Sequence, residues 1–518
     1  MSFNGAADDT LDRLIRKQFW DENGHFQVPA VYKESDDYKT MRILSQKIRS
    51  DANWIDSLKT PETRKCLIAE AREKLEEAAV KTMFDKLDFL ATLQPKEGAK
   101  LGSIDYVWLS DTLVDSATRL SLKQLATLLE NDSEHHNDFY PHKDKLLVKL
   151  IDPLLFSLGI EYSHVLAKPI SSPKDALFID ALGHNPGDLT EWSKYLAEAY
   201  ARADDPSKSE YSLFVSEYHN SDFQLYLSIP AEFSVDLEGS VTIESYINNL
   251  HPIDYSDFYP TVASAFSCML PLFEQTLTDI AHFQYSRSFQ VKEDLPLRPI
   301  TPYSLHGRRL QVVVEMENIM LSPESPEYMG GECFEGWELL HVREIIATGV
   351  YCYDSDNVTD EGVELREHFK YDEELDYTYY DDSDYKIYGH FDCAWQKAGT
   401  VDIKPDRCFV YSGVHQCVDS QFKLCDPAKP GYRKLLKFYL VNPTIRAPSS
   451  AIIPPQQQNW WARQVRQIAR FAELPDLVWG KIVDYVDYPM SLKKARKTRE
   501  CILDDVYLDY EYDSESRD

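Results

Sequence analysis

EIIATGVYCY (Glu344–Tyr353) reads as a β-strand, being short, rich in Ile, Val and aromatic residues, and bounded by polar sequence. Leu310–Val314, Val401–Tyr411 and Leu435–Val441 share that grammar and are separated by turn-forming residues. Together they predict an antiparallel β unit beyond Arg308. Upstream the pattern changes. RKCLIAEAREKLEEAAVKTMFDKLDFLATL (Arg64–Leu93) places apolar residues at three- and four-residue steps among strong helix formers, with Pro61 ahead and Pro95 behind. Lys143–Leu158 reads as a second helical segment interrupted by Pro153. Phe258–Phe283 reads as a third, which Pro271 is expected to kink or break. Helices first and strands later predict an α+β fold with a helical N-terminal half.

The chain has 518 residues, of which 43% are hydrophobic, enough to build sizeable cores. At roughly 150 residues per domain, two to four units are expected. Fifty-five Lys and Arg against 86 Asp and Glu leave a net charge of −31, which disfavours nucleic acid and anionic membrane as partners. No apolar run approaches the roughly 18 residues of a membrane helix. Asp8, Asp9, Asp12 and Arg13 stand where a secretion signal needs an apolar stretch. Nine cysteines without a CxxC pair suggest reduced thiols and a cytoplasmic setting.

The charge is uneven. Val350–Asp392 holds fourteen acidic and three basic residues, a net −11, interleaved with tyrosines, and LDDVYLDYEYDSESRD repeats that composition at the C-terminus. Neither has the ordered spacing of a calcium loop, so a solvated loop and tail are the simpler reading. Lys493, Lys494, Arg496, Lys497 and Arg499 form the dense basic cluster. Facing an acidic body, they are expected to pair within the chain. There is no Gly-x-Ser-x-Gly elbow, and a hydrolase reading finds little support.

Four phrases, in order, carry a family resemblance: SYINNLHP (Ser245–Pro252), LQVVVEMENIMLSPESPEYMGG (Leu310–Gly331), LCDPAKPGYRKLLKFYLVNP (Leu424–Pro443) and IIPPQQQNWW (Ile452–Trp461). The series resembles the fungal domain of unknown function 4246 from about Lys39 to Arg499. Such proteins look like double-stranded β-helix, jelly-roll-like oxygenases that use Fe(II) and 2-oxoglutarate. The resemblance therefore implies a C-terminal double-stranded β-helix. It suggests a division into a helical subdomain (1–95), a family core (96–458) that is helical to about 300 and then β-rich, and a C-terminal helix with an acidic tail (459–518).

The family pattern Gly-Gly-x-Trp-His-Val-Glu-Gly, a later Gln-His and a Pro-Gly-His-Arg supply two His and one carboxylate on one face of iron. An Arg then clamps the distal carboxylate of 2-oxoglutarate. Here the first motif reads Gly330-Gly331-Glu332-Cys333-Phe334-Glu335-Gly336, with Cys333 in the place of His. The second reads Val414-His415-Gln416-Cys417-Val418, where either Gln416 or, with one inserted residue, His415 takes the ligand position. Arg433 is kept in Pro430-Gly431-Tyr432-Arg433. The resemblance thus implies Cys333, Glu335 and His415 as metal ligands and Arg433 as the co-substrate clamp. Each has a plainer alternative: Cys333 as a packing residue, Glu335 as a solvated one, Arg433 in an ion pair with Asp426 or Glu374. Two functions follow as expectations. One is an Fe(II)/2-oxoglutarate-type oxidation of a small molecule. The other is a catalytically inactive scaffold that binds a small molecule or a protein through its acidic segments and needs neither cofactor.

Overall fold

The computed structural model describes residues 11–12, 15, 31–32, 36–51, 53–92, 98–132, 138–141, 143–159, 162–166, 168–177, 183–186, 210–211, 226–281, 301–333, 345–370 and 394–515. Its helices include α1 (Asp36–Arg49), α2 (Pro61–Arg72), α3 (Glu77–Thr92), α4 (Ser116–Glu130), α5 (Tyr259–Ala281), α6 (Gln458–Arg466) and α7 (Leu492–Glu515). The strands used below are β1 (Trp108–Ser110), β2 (Leu147–Ile151), β3 (Ala231–Val235), β4 (Val241–Ile243), β5 (Arg309–Leu321) and β6 (Gly331–Cys333). They continue with β7 (Ile345–Asp356), β8 (Val363–Lys370), β9 (Ala394–Val401), β10 (Cys408–Ser412), β11 (His415–Asp419) and β12 (Gly431–Val441).

The α+β class is observed, in the form of helices with largely antiparallel sheet. A nine-stranded sheet runs Lys100–Leu101, β1, β10, β7, β12, β5, β3, β4, and β2 also pairs with β5. A five-stranded sheet runs Val31–Tyr32, β8, β11, β6, with β9 on β8. The helical reading of everything before residue 300 is corrected, because β1, β2, β3 and β4 all come from that half and enter the large sheet. LVKLI of β2 lies inside the segment read as a broken helix, and a short apolar run does not distinguish strand from helix. Arg64–Leu93 is two helices with a turn at 73–76, bridged by a bidentate Arg72–Glu77 pair. The helix of α5 instead continues unbroken through Pro271. Val401–Tyr411 divides between β9 and β10, joined by a turn with Asp406 at φ 69°.

Packing follows from these periods. Val262, Phe266, Met269, Phe273 and Leu277 form a stripe along α5 that is fully buried in the main core. Phe266 meets Phe233, Phe273 and Phe438 at ring separations of 5.1, 5.2 and 5.2 Å. Gly349 of β7 must lack a side chain, since a Cβ there would lie 2.7 Å from Phe273 Cζ. On the other face of the large sheet, Val350, Cys352, Phe409, Tyr411 and Leu435 share a second core with Val363, Leu365, Ala398 and Val401 of the small sheet. The two sheets therefore pack face to face.

SYINNLHP and IIPPQQQNWW meet in space. Gln457 Nε2 donates to Asn248 Oδ1 at 2.9 Å and Asn249 Oδ1 at 3.0 Å. The Tyr246 hydroxyl donates to the Ile453 carbonyl, and the rings of His251 and Trp460 lie 4.8 Å apart. These phrases build scaffold. Three members of the basic cluster are tied inward: Arg499 is buried between Asp152 (2.7 Å) and Asp138 (2.9 Å), Arg496 reaches Asp138, and Lys494 lies over the Tyr162 ring.

The N-terminal helices attach through Asp105, which binds Lys86 of α3 at 2.7 Å and Arg49 of α1 at 3.1 Å. Burial alone would raise the Asp105 carboxyl, but Lys86 and Arg49 outweigh it and hold it at about 2. Asp105→Asn is expected to cost about 3 kcal/mol at pH 7. A carboxyl depressed in the folded state stabilises above its unfolded pKa, and that contribution is lost as pH falls toward the folded one. The deficit should therefore shrink between pH 4 and pH 2, read from urea melts of both proteins. Phe266→Ala, which opens a cavity in the other core, should cost about 3–5 kcal/mol in the same assay with little dependence on pH.

Candidate functional site

Alternation along β8 decides where its side chains go. Val363 and Leu365 enter the inter-sheet core, so Glu367, two residues on, shares their face. Opposite them on β11 stand Asp419, Cys417 and His415, in register with Val363, Leu365 and Glu367. The His415 side chain is wholly enclosed, and its Nε2 lies 3.7 Å from Glu367 Oε1, outside hydrogen-bond range. Neither ring nitrogen of His415 has a hydrogen-bond partner among the described residues. Its ring is faced by Tyr106, centroids 6.2 Å apart at 59°. Tyr106 is buried and held at φ 62°, an uncommon conformation for a bulky residue and of the kind that gathers at functional sites.

The facing surface of the large sheet is also charged. Lys149 Nζ binds Glu315 Oε2 at 2.9 Å, Glu315 Oε1 lies 3.1 Å from Lys437 Nζ, and Lys437 reaches Glu317 Oε1 at 2.9 Å. All four side chains are within a tenth of full burial, and Lys149 also sits 4.2 Å above the Tyr140 ring.

Arg433 is buried on the same face of β12 as Leu435 and Lys437. Its Nη2 donates to the Thr359 carbonyl at 2.7 Å, and its guanidinium lies 3.9 Å above the Phe422 ring. Desolvation lowers its pKa, opposed by Cys352, Asp419, Asp360 and Glu361 nearby. Asp426, one suggested partner, pairs with Lys429 instead, and Glu374 lies outside the described residues.

Of the residues that the resemblance singles out, Cys333 lies in β6, the strand that pairs with β11. Its partner there is Cys417, two positions from His415. Glu335 lies outside the described residues. Gln416, the rival of His415, alternates to the opposite face of β11, and its buried Oε1 has no hydrogen-bond partner among the described residues. Among the described residues no group of three or more His, Cys, Asp or Glu could hold a metal ion. Sequence reasoning passed over Glu367, Tyr106 and the Lys149–Glu315–Lys437–Glu317 chain. For Glu367 and the charged chain the signals were present: VELREHFK alternates from Val363 to Glu367, and VVVEMEN sets two acids two residues apart in an apolar strand.

The acidic stretch read as a solvated loop is partly sheet, since β7 and β8 take up residues 350–356 and 363–370, with Asp354 bound to Lys123 and Glu364 bound to Arg366 and Lys397. Residues 371–393 lie outside the described residues, as do 516–518 of the tail. Among the described residues no helix is long and apolar enough to cross a membrane.

Solved structures to which the chain is similar include an Fe(II)/α-ketoglutarate-dependent dioxygenase, TqaL. It is 10% identical, covering 64% of this chain and 91% of that one, with a TM-score of 0.20. IDO from Bacillus thuringiensis is 6% identical over 41% of this chain and 72% of its own, with a TM-score of 0.19. A bsmA homologue from Methylobium petroleophilum PM1 is 9% identical over 48% and 81%, with a TM-score of 0.19. No curated protein matches the chain. The model of a protein family of unknown function, DUF4246, matches residues 77–298 and 288–464. That span exceeds half of the sequence, and the chain belongs to the DUF4246 family.

Proposed function

We propose that the two facing sheets form a double-stranded β-helix of the oxygenase type that binds a small molecule beside His415 without iron or 2-oxoglutarate chemistry. The observation that carries this reading is the donor set. A facial triad needs two imidazoles and a carboxylate, whereas the positions that the family would use offer Cys333, Glu335 and His415, with a single imidazole. A thiolate in that set favours softer metals than an oxygenase-competent Fe(II). The residues present do not fit the iron site.

The co-substrate position points the same way. Arg433 already donates to Thr359 and stacks on Phe422, and Asp419, Asp360 and Glu361 surround it with negative charge. A dianionic 2-oxo acid would meet repulsion there and would have to displace existing contacts. A neutral or cationic molecule bearing a hydrogen-bond donor suits His415 and Glu367 better, because both can accept from it.

One observation favours the second reading, a small-molecule oxygenase. Both His415 ring nitrogens lack hydrogen bonds among the described residues, as a side chain reserved for a metal would. In that case His415 with Glu335 or Cys333 would hold the metal, and Arg433 would hold the co-substrate.

Anaerobic addition of Fe(II) and 2-oxoglutarate to the full chain separates the readings. We expect no visible absorption band from the chelated complex and no metal retained through desalting. His415→Ala should match the wild type in both respects. A band at one equivalent per chain, abolished in His415→Ala, would overturn the binding-protein reading.

A further inference from the structure

Residues 458–490 form an excursion whose ends are pinned together. Gln458 N donates to the Met490 carbonyl at 2.9 Å, and Met490 N donates to the Gln456 carbonyl at 2.7 Å. Between them lie α6 and two further helices, Ala469–Ala472 and Asp476–Asp484, neither of which buries any residue fully. Five of the nine residues in DLVWGKIVD are apolar nonetheless. A helix this short is marginal in water unless packing supports it. The helical period divides it. Trp479, Ile482, Val483 and, just beyond, Val486 recur at three- and four-residue steps and are half-buried. Trp479 stacks on Trp461 at 6.5 Å and meets Phe471 at 5.7 Å. The other face carries Leu477, Val478, Gly480, Lys481, Asp484 and the capping Tyr485, all exposed, with Leu477 at 76% and Tyr485 at 87%.

The chemistry of that face matches itself. Lys481 and Asp484 are one turn apart, yet they do not pair with each other, and among the described residues neither belongs to an ion pair. Gly480 stands inside the helix, where glycine costs stability, and among the described residues nothing lies within 4 Å of the place its Cβ would take. Packing within the chain therefore gives no reason for a glycine, whereas close approach by a second helix does. Residues 458–486 hold four basic and three acidic residues, a net +1 in a chain whose total is −31. Two copies of so acidic a protein repel over most of their surface, but not here.

We propose that this face is the contact between two copies of the chain, packed antiparallel about a two-fold axis. Lys481 of one protomer then meets Asp484 of its partner, Tyr485 covers the facing Gly480, and symmetry makes each contact twice. Leu477 and Val478 supply apolar area. An acidic or a basic partner protein is a poorer match, because the face carries one charge of each sign. The nine-residue helix is about 14 Å long, so the interface is small and the dimer is one that assembles at micromolar concentration rather than a permanent one. The surface lies outside the two facing sheets, and its pairing is independent of either reading of the His415 site.

The test is sedimentation equilibrium of the full chain across the micromolar range. The mass is expected to rise with concentration from one chain toward two. Leu477→Glu and Tyr485→Glu should each weaken association by more than about tenfold. Both sites are exposed, so the fold should survive, and far-UV circular dichroism checks that it does. Gly480→Gln fills the approach while suiting a helix better than glycine, so it should also weaken association without lowering the melting temperature. Lys481→Asp and Asp484→Lys each set like charges against each other across the axis and should separate the protomers, and the double exchange should restore the dimer. A single-chain mass at every concentration would overturn the proposal. So would a dimer that these variants leave intact, or single charge reversals that the double exchange does not rescue.

Discussion

Every other placement depends on β12 being hydrogen-bonded along both edges. Residues 431–440 pair with β5 and residues 432–441 with β7, which commits each side chain of the strand to one of two faces. Leu436, Phe438 and Leu440 go to the core under α5, while Arg433, Leu435 and Lys437 go toward the small sheet. A slip of one residue would exchange those sets, carrying a lysine and an arginine into the aromatic core around Phe266.

The buried charges make that register harder to lose. Lys149, Glu315, Lys437 and Glu317 come from three strands and sum to zero, two positive and two negative. Such a chain is not worth much against an apolar equivalent of the same shape, because desolvation offsets most of the attraction. Removing one member costs far more, leaving a partner charged and enclosed. The chain therefore specifies which residue of β12 meets which residue of β5. It also sets a charged patch beside the apolar inter-sheet core, in contrast to the aromatic layer on the other side of the same sheet.

The β unit was legible because its strands are long and rich in β-branched residues, and the late helix because its basic residues had acids to meet. The strands of the first half were not. LVKLI and AEFSV are too short for a period of two to be told from one of 3.6. Their state is set by β5, more than 70 residues away in sequence. Of the candidate site, His415 and Arg433 were identified from motif position, but their surroundings were not. Glu367, which faces His415, belongs to a segment whose composition suggested a solvated loop, and only pairing with β11 shows that its alternate residues point inward. Tyr106 was beyond reach, since nothing in its neighbourhood announces a positive φ or a contact 309 residues distant.

Arg499 has a consequence for the order in which the protein can be made. Asp138 and Asp152 are enclosed within the body, and the guanidinium that binds both belongs to α7, about 350 residues later. Asp152 sits at the end of β2, and its carbonyl accepts from Asn249 in the buried network that also holds Gln457. A ribosome releasing this chain from its N-terminus therefore exposes both carboxylates long before their counter-charge exists. The large sheet can begin to assemble, but the region around Asp138 and Asp152 must stay open to water until residue 499 has emerged. Completion of this part of the core therefore waits on α7, whose guanidinium acts as its closing charge.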